Sequence, residues 1–272
     1  MKIILSRKGF DSSSGGCPNP VMPDGALLSL PIPDDTLTPP LPDNAVRYDD
    51  LCYDGCPYIK ILKGLKPRKS FDICHLDPDI REGIRANPVD GWKPAFGQTG
   101  SPLGVLRNAG VTAGDLFLFF GVFRETEYHN GYVRFKREAK PLQVIYGYMQ
   151  IGAVLETPEE IAGYKWHPHA AVQHYNPKKN ALYVPSDRLS FCPSLPGYGV
   201  LSYRADRVLT KPNENAATWE ERSFLLPENV IGNRKNSANG GGLYYAGQWQ
   251  ELVLKSDENA EKWAASLIDD TV

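Results

Sequence analysis

Gly114-Asp115-Leu116-Phe117-Leu118-Phe119-Phe120-Gly121-Val122-Phe123-Arg124 is the stretch whose reading decides the fold of this chain. A Gly-Asp turn releases an apolar run rich in aromatics, which is a strand signature rather than a helical one. A second apolar run, Val144 to Leu155, contains Tyr146-Gly147-Tyr148-Met149-Gln150-Ile151-Gly152 and reads as a neighbouring strand. Between them, residues 124–141 are charged and turn at Asn130-Gly131, a strong hairpin dipeptide.

Working outward, Lys2 to Ser6 reads as a buried first strand that ends in the polar, glycine-punctuated loop Arg7 to Gly16. Ala26 to Leu30 reads as a second short strand, and Pro31, Pro33, Pro39, Pro40 and Pro42 then mark an irregular surface crossing. Residues 46–74 are poorly patterned. Within them, Pro57 to Phe71 carries Lys60, Lys63, Lys66, Arg68 and Lys69 and no acid. Ser101 to Ala109 reads as a helix, with Pro102 at its first turn and Gly110 just past its end. Ala181–Val184, Gly199–Tyr203 and Gln250–Leu254 read as strands, and Asn236–Gly242 as a glycine-rich loop. After a cap at Ser256 or Asp257, a last helix aligns Ala260, Trp263, Ala264, Leu267 and Ile268 on one face. The expectation is one domain over residues 1–272. Its fold is α+β with a mixed or mainly antiparallel sheet, few helices and many Pro/Gly-rich loops. The paired strands resemble those of PUA and ASCH-like barrels, folds that hold RNA or modified bases, so such a barrel is one form the sheet could take.

Composition sets the outer limits. Of 272 residues, 42% are hydrophobic and 23% charged, which is ordinary globular usage, and 23 prolines with 25 glycines point to many short elements. No apolar run approaches the ~20 residues a membrane span needs. A net charge of −2 excludes coating of nucleic acid by bulk charge and leaves room for a local basic cleft. Five cysteines at irregular spacing, with no secretory signal in the opening residues, lead to an expectation of reduced thiols in a cytoplasm.

Five motifs carry candidate chemistry, each beside a plainer alternative. Arg7 and Lys8 flank a Ser/Gly-rich turn whose amides could form an anion nest, with Asp11 orienting Lys8 or meeting a sugar hydroxyl; a solvated turn would look the same. In His75-Leu76-Asp77-Pro78, histidine and carboxylate share one side of an extended segment, but Asp77 equally suits the cap of a helix starting at Pro78, and that is the reading favoured for it. His167-Pro168-His169, with His174 nearby, has metal-like spacing. It lacks a defined third ligand, His75 and Cys74 being options, and structural histidines are favoured, so no metal is assigned. Cys52 and Cys56 lack a second pair and read as small hydrophobes rather than zinc ligands. The turn Gly97-Gln98-Thr99-Gly100 precedes a helix N-terminus that could hold an anion.

Several phrases taken together resemble a known family. They are Leu5 to Pro18, Leu30 to Asp34, His75 to Asp79, Phe96 to Gly100, Gly114 to Gly121 and His167 to His169. In this order they are similar to the nucleotide modification associated domain family, the third of that name. The resemblance implies a bacterial or phage setting concerned with modified DNA bases, an association more than a defined reaction, and names no cofactor. Carried over residue by residue, it makes Lys8, Asp11, His75, His167 and His169 candidate catalytic residues. Arg7, Ser12, Asp77, Gln98 and Arg124 become candidate ligand contacts, Arg124 by position alone. The expected partner is a nucleotide or an extruded, modified base bound in a cleft lined by the 7–12 loop, with other DNA-modification proteins as companions. Three readings follow: an enzyme on a nucleotide or base, a non-catalytic reader of modified bases, or a scaffold in a modification or defence operon. Convergence of Lys8, Asp11 and two histidines in one cleft would favour the enzyme.

Overall fold

A computed structural model describes residues 1–37, 39–68, 71–171, 175–231, 243–245 and 249–269. The N-terminal half opens with strands β1 (Ile3–Arg7), β2 (Asn19–Val21), β3 (Ile32–Pro33) and β4 (Val46–Arg47). The hairpin β5 (Cys52–Tyr53) and β6 (Cys56–Pro57) leads into helix α1 (Tyr58–Leu65) and strand β7 (Ile73–His75). Next come β8 (Phe96–Thr99), helix α2 (Gly100–Asn108), the long β9 (Leu116–His129), β10 (Tyr132–Phe135) and the long β11 (Leu142–Leu155). The chain finishes through α3 (Pro158–Ile161), β12 (Asn180–Pro185), β13 (Tyr198–Val200), β14 (Glu251–Val253) and α4 (Glu258–Ile268).

The decisive stretch lies in the middle of the main sheet, whose path runs β14-β1-β9-β11-β12-β8. β1 and β2 lie parallel to β9, and the other pairs along this sheet are antiparallel. Alternation along the central strands sends side chains to two cores. Ile3, Leu5, Leu116, Leu118 and Phe120 pack against α4 through Ala264 and Leu267. Ile4, Phe117, Phe119, Met149, Tyr183, Phe96 and Val253 form the second core with Leu103 and Leu106 of α2. Every strand of the path contributes to that second core, because the sheet curls into a half-barrel around it. The curl needs register breaks, and β11 supplies two, at Ile145/Gly147 and Ile151/Ala153.

A third core joins the N-terminal segments to this frame. Tyr58, Ile61, Leu62 and Leu65 fall at i, i+3, i+4 and i+7 on α1 and are buried with Phe10, Tyr48 and Val133. The basic run is therefore largely an amphipathic helix, with Lys60 and Lys63 on its outer side. Gly64 is required there, since a Cβ would lie 2.1 Å from the Val133 carbonyl oxygen. The hairpin at Asn130-Gly131 forms as expected, both residues taking positive φ.

Three expectations about elements need correction, the first being the turn at Gly97-Gln98-Thr99-Gly100: Gly97 to Thr99 belong to β8 and pair with β12, and α2 starts directly at Gly100. Ala26–Leu30 is not a strand: it makes only isolated bridges, Val21 to Leu27 and Ala26 to Ser202. Leu27 enters the half-barrel core while Leu28 and Leu30 enter the N-terminal core, so the segment stitches two cores together instead of joining a sheet. No helix begins at Pro78 either, and Asp77 has another use, described below. The glycine-rich loop 236–242, Lys69 and His174 lie outside the described residues.

Candidate functional site

The half-barrel is open between its two edge strands, and polar side chains span the gap. Glu251 of β14 is fully buried and its Oε1 accepts hydrogen bonds from Ser6 Oγ at 2.9 Å and from Gln98 Nε2 of β8 at 2.6 Å. Lys8 Nζ stands 3.3 Å from the same oxygen and 4.3 Å from the centroid of the Phe96 ring. Lys8 is thus fixed between a carboxylate and an aromatic face, each of which favours its charge.

A cleft of about 590 Å³ lies at this seam. One wall is the loop after β1, with Arg7, Lys8, Asp11, Ser13 and Ser14. Residues 32–36, His75, Asp77, Gln98, Thr99, His169, Tyr175 and Gln250 complete it. The expected anion nest is already filled from within: the Asp11 Oδ1 accepts the amides of Ser13 and Ser14, both at 2.7 Å, and the Ser13 hydroxyl. Its other oxygen pairs with Arg7. The loop's own carboxylate thus occupies the amides of Ser13 and Ser14 that a nest would present to an anion. Asn19 anchors the loop from beneath through hydrogen bonds with Phe10 N, Phe10 O, Leu30 N and Val122 O.

Across the cleft, two stretches, residues 75–77 and the turn at Pro168, bring His75, Asp77 and His169 together. One ligand-capable atom of each lies within 4.8 Å of the others. His75 ends β7, where alternation sends Cys74 into the N-terminal core and His75 toward the cleft. His167 and His169 do not sit on a strand. They flank Pro168 at a single 3-10 turn, Pro168–Ala170, in which His167 Nδ1 accepts the His169 amide at 3.3 Å. The proton of His167 therefore sits on Nε2, which faces Asp77 Oδ1 at 3.3 Å. The same Oδ1 accepts the Gly97 amide at 2.7 Å. Gly97 has to be glycine, because a Cβ would fall 2.2 Å from the His169 ring. Asn180 fixes that ring from behind. Its amide nitrogen donates to the His169 carbonyl at 3.0 Å, so its oxygen takes the proton of His169 Nδ1 at 2.6 Å. Tyr175 stacks on His169 with centroids 4.5 Å apart.

The electrostatics follow from this burial. Desolvation lowers the pKa of His75 and brings that of His169 down to about 3, Asp77 opposing it in both cases. Both imidazoles are therefore neutral near pH 7. Burial by itself would raise the Asp77 pKa, but the hydrogen bond from His167 and the fields of His169 and Lys8 hold it below the usual carboxylate range.

Of the residues singled out from sequence, Arg7, Lys8, Asp11, His75, Asp77, Gln98 and His169 line one cleft. His167 is fully buried behind it and acts on Asp77. Ser12 is exposed, its neighbours Ser13 and Ser14 lining the cleft instead. Arg124 stands apart on β9, where it donates to the Lys136 carbonyl and covers the Phe135 ring. Asn180, Tyr175 and Glu251 carried no sequence signal, since each matters through a partner distant in the chain, and Gly97, read as part of a turn, matters instead through Asp77 and His169. Cys52 and Cys56 lie on the small β5–β6 hairpin, and no cysteine joins a ligand-capable group of three among the described residues.

The model of the family described as nucleotide modification associated domain 3 matches residues 2–262. Neither a curated protein nor a solved structure matches the chain.

Proposed function

Because the chain belongs to the nucleotide modification associated domain 3 family, we propose that the seam cleft is the centre at which a nucleotide, or one base extruded from a strand, is bound and acted upon. The observation that carries this reading is convergence: Lys8 and Asp11 face His75, Asp77 and His169 across one cavity. At about 590 Å³, the cavity falls in the range of roughly 300–1,000 Å³ typical of small-molecule sites. Tyr175 offers an aromatic surface to a base, and such stacking is worth about 1–3 kcal/mol. The hydroxyls and amides of Ser13, Gln98, Thr99 and Gln250 suit its polar edges and sugar. Convergence of two histidines and a carboxylate with Lys8 and Asp11 in one cleft favours an enzyme over a passive reader.

Calorimetric titration of nucleotides and short oligonucleotides, with ordinary and modified bases, tests the reading. Binding by the wild type that weakens on Tyr175→Ala while Arg124→Ala leaves it unchanged is the expected result. No binding by the wild type would leave the scaffold reading in its place, and binding without turnover of any bound compound would favour the reader.

A further inference from the structure

We propose that His75, Asp77 and His169 hold one divalent first-row transition ion, with positions left open toward the cleft. Two imidazoles and one carboxylate are a donor set for zinc, iron(II), manganese or cobalt, whereas calcium and magnesium favour all-oxygen sites. The atoms are close to the required positions. If all three separations were 4.8 Å, the centre of the triangle would lie about 2.8 Å from each atom, against roughly 2.0–2.1 Å for a zinc–nitrogen bond. Each ligand needs to move inward by less than about 1 Å, which small side-chain rotations supply.

The surrounding groups match what metal ligands require. A ligating histidine is normally oriented by a hydrogen bond at its other ring nitrogen. Asn180 provides that bond to His169 Nδ1, leaving Nε2 with a bare lone pair at a residue only 2% exposed. Asp77 Oδ1 is held by Gly97 and His167, and Oδ2 has no hydrogen-bond partner among the described residues. His167 is thereby a positioning residue for the carboxylate.

Charge gives a second, independent argument. The cleft's formally charged lining residues are two cations, Arg7 and Lys8, and four carboxylates, Asp11, Asp34, Asp35 and Asp77, an excess of two acids. Arg7 and Lys8 are also engaged by Asp11 and Glu251. A lining of this sign repels phosphate, and a divalent ion reverses that. This last step, from ion to anionic ligand, rests on the nucleotide reading above. Binding of the ion itself does not.

The test uses the full chain and the metals alone. After chelator treatment and desalting, zinc and cobalt(II) are titrated into wild type and into His75→Ala, Asp77→Asn, Asn180→Leu and His129→Ala, with circular dichroism to confirm folding. One equivalent of metal is expected to bind the wild type and the exposed His129 variant alike. Affinity should fall at least a hundredfold in the His75 and Asp77 variants and about 10–100-fold in the Asn180 variant. Bound cobalt should give the intense visible absorption of a low-coordinate nitrogen/oxygen site. Absence of stoichiometric binding by the wild type, or equal affinity across all variants, would overturn the proposal. Should the His75 or Asp77 variant fail to fold, the Asn180 variant and the cobalt spectrum decide, and a weak spectrum like that of hydrated cobalt counts against the site. Nucleotide binding indifferent to chelator, with no metal bound, would reject the ion and keep the nucleotide reading. Metal binding without nucleotide binding would do the reverse.

Discussion

A missing Cβ at position 97 keeps two functional groups in place at once. Gly97 donates its amide to Asp77 and lets the His169 ring lie against its backbone. Gly97→Ala has no room, so the ring or β8 must shift. We expect a loss of about 1–3 kcal/mol, the usual cost of overpacking, measured by urea unfolding, together with weakened ligand binding. The thiols make a second test at this scale. Cys17 and Cys74 are buried, and desolvation pushes the Cys17 thiol up to about 11 and raises Cys74 as well. Cys52, Cys56 and Cys192 are partly exposed. A thiol reagent at pH 8 should therefore titrate three groups rapidly and the other two only on unfolding. Rapid reaction of all five in the folded protein would contradict the burial described.

Elements whose signals are local were legible in the sequence. The aromatic run after Gly114-Asp115 gives β9, Asn130-Gly131 gives its hairpin, and Asp257 caps α4 through the amides of Asn259 and Ala260. Asp257→Ala should cost about 0.5–2 kcal/mol, seen as a lower midpoint in thermal unfolding with the cleft's binding intact. Where reading failed, two signals competed. The charges of residues 57–71 drew attention away from the i, i+3, i+4, i+7 apolar pattern of α1. At Asp77, the Asp-Pro order imitated a helix start, while the real determinant was an amide twenty residues downstream. Of the site, the loop and the histidines were visible as motifs. Their convergence was not, because β7, β8 and the 3-10 turn at Pro168 meet only through the tertiary fold. Asn19 belongs to this class: its side chain makes four hydrogen bonds that tie the 7–16 loop to β9 and the 26–30 segment.

At the scale of the whole molecule, the half-barrel depends on a polar seam, and that changes how the role of Lys8 must be tested. Lys8 reads from sequence as a free cation at a strand end. In the fold its side chain is 9% exposed and that of its partner Glu251 is 0% exposed. Removing one member of a buried pair strands the other charge, which typically costs about 3–5 kcal/mol. Lys8→Ala should thus destabilise the protein heavily, and any loss of ligand binding in it would confound unfolding with a lost contact. Lys8→Met combined with Glu251→Gln removes both charges and retains an amide that can still bond Ser6 and Gln98 across the gap. We expect this double variant to recover most of the stability, because the two substitutions act on one interaction and are strongly non-additive. If Lys8 also meets a ligand phosphate, the stable double variant will still bind nucleotide ten- to a hundredfold more weakly, as loss of a charge-assisted hydrogen bond of about 1.5–3 kcal/mol requires. Full binding in a fully folded double variant would assign Lys8 to the seam alone. It would leave anion recognition to the centre formed by His75, Asp77 and His169.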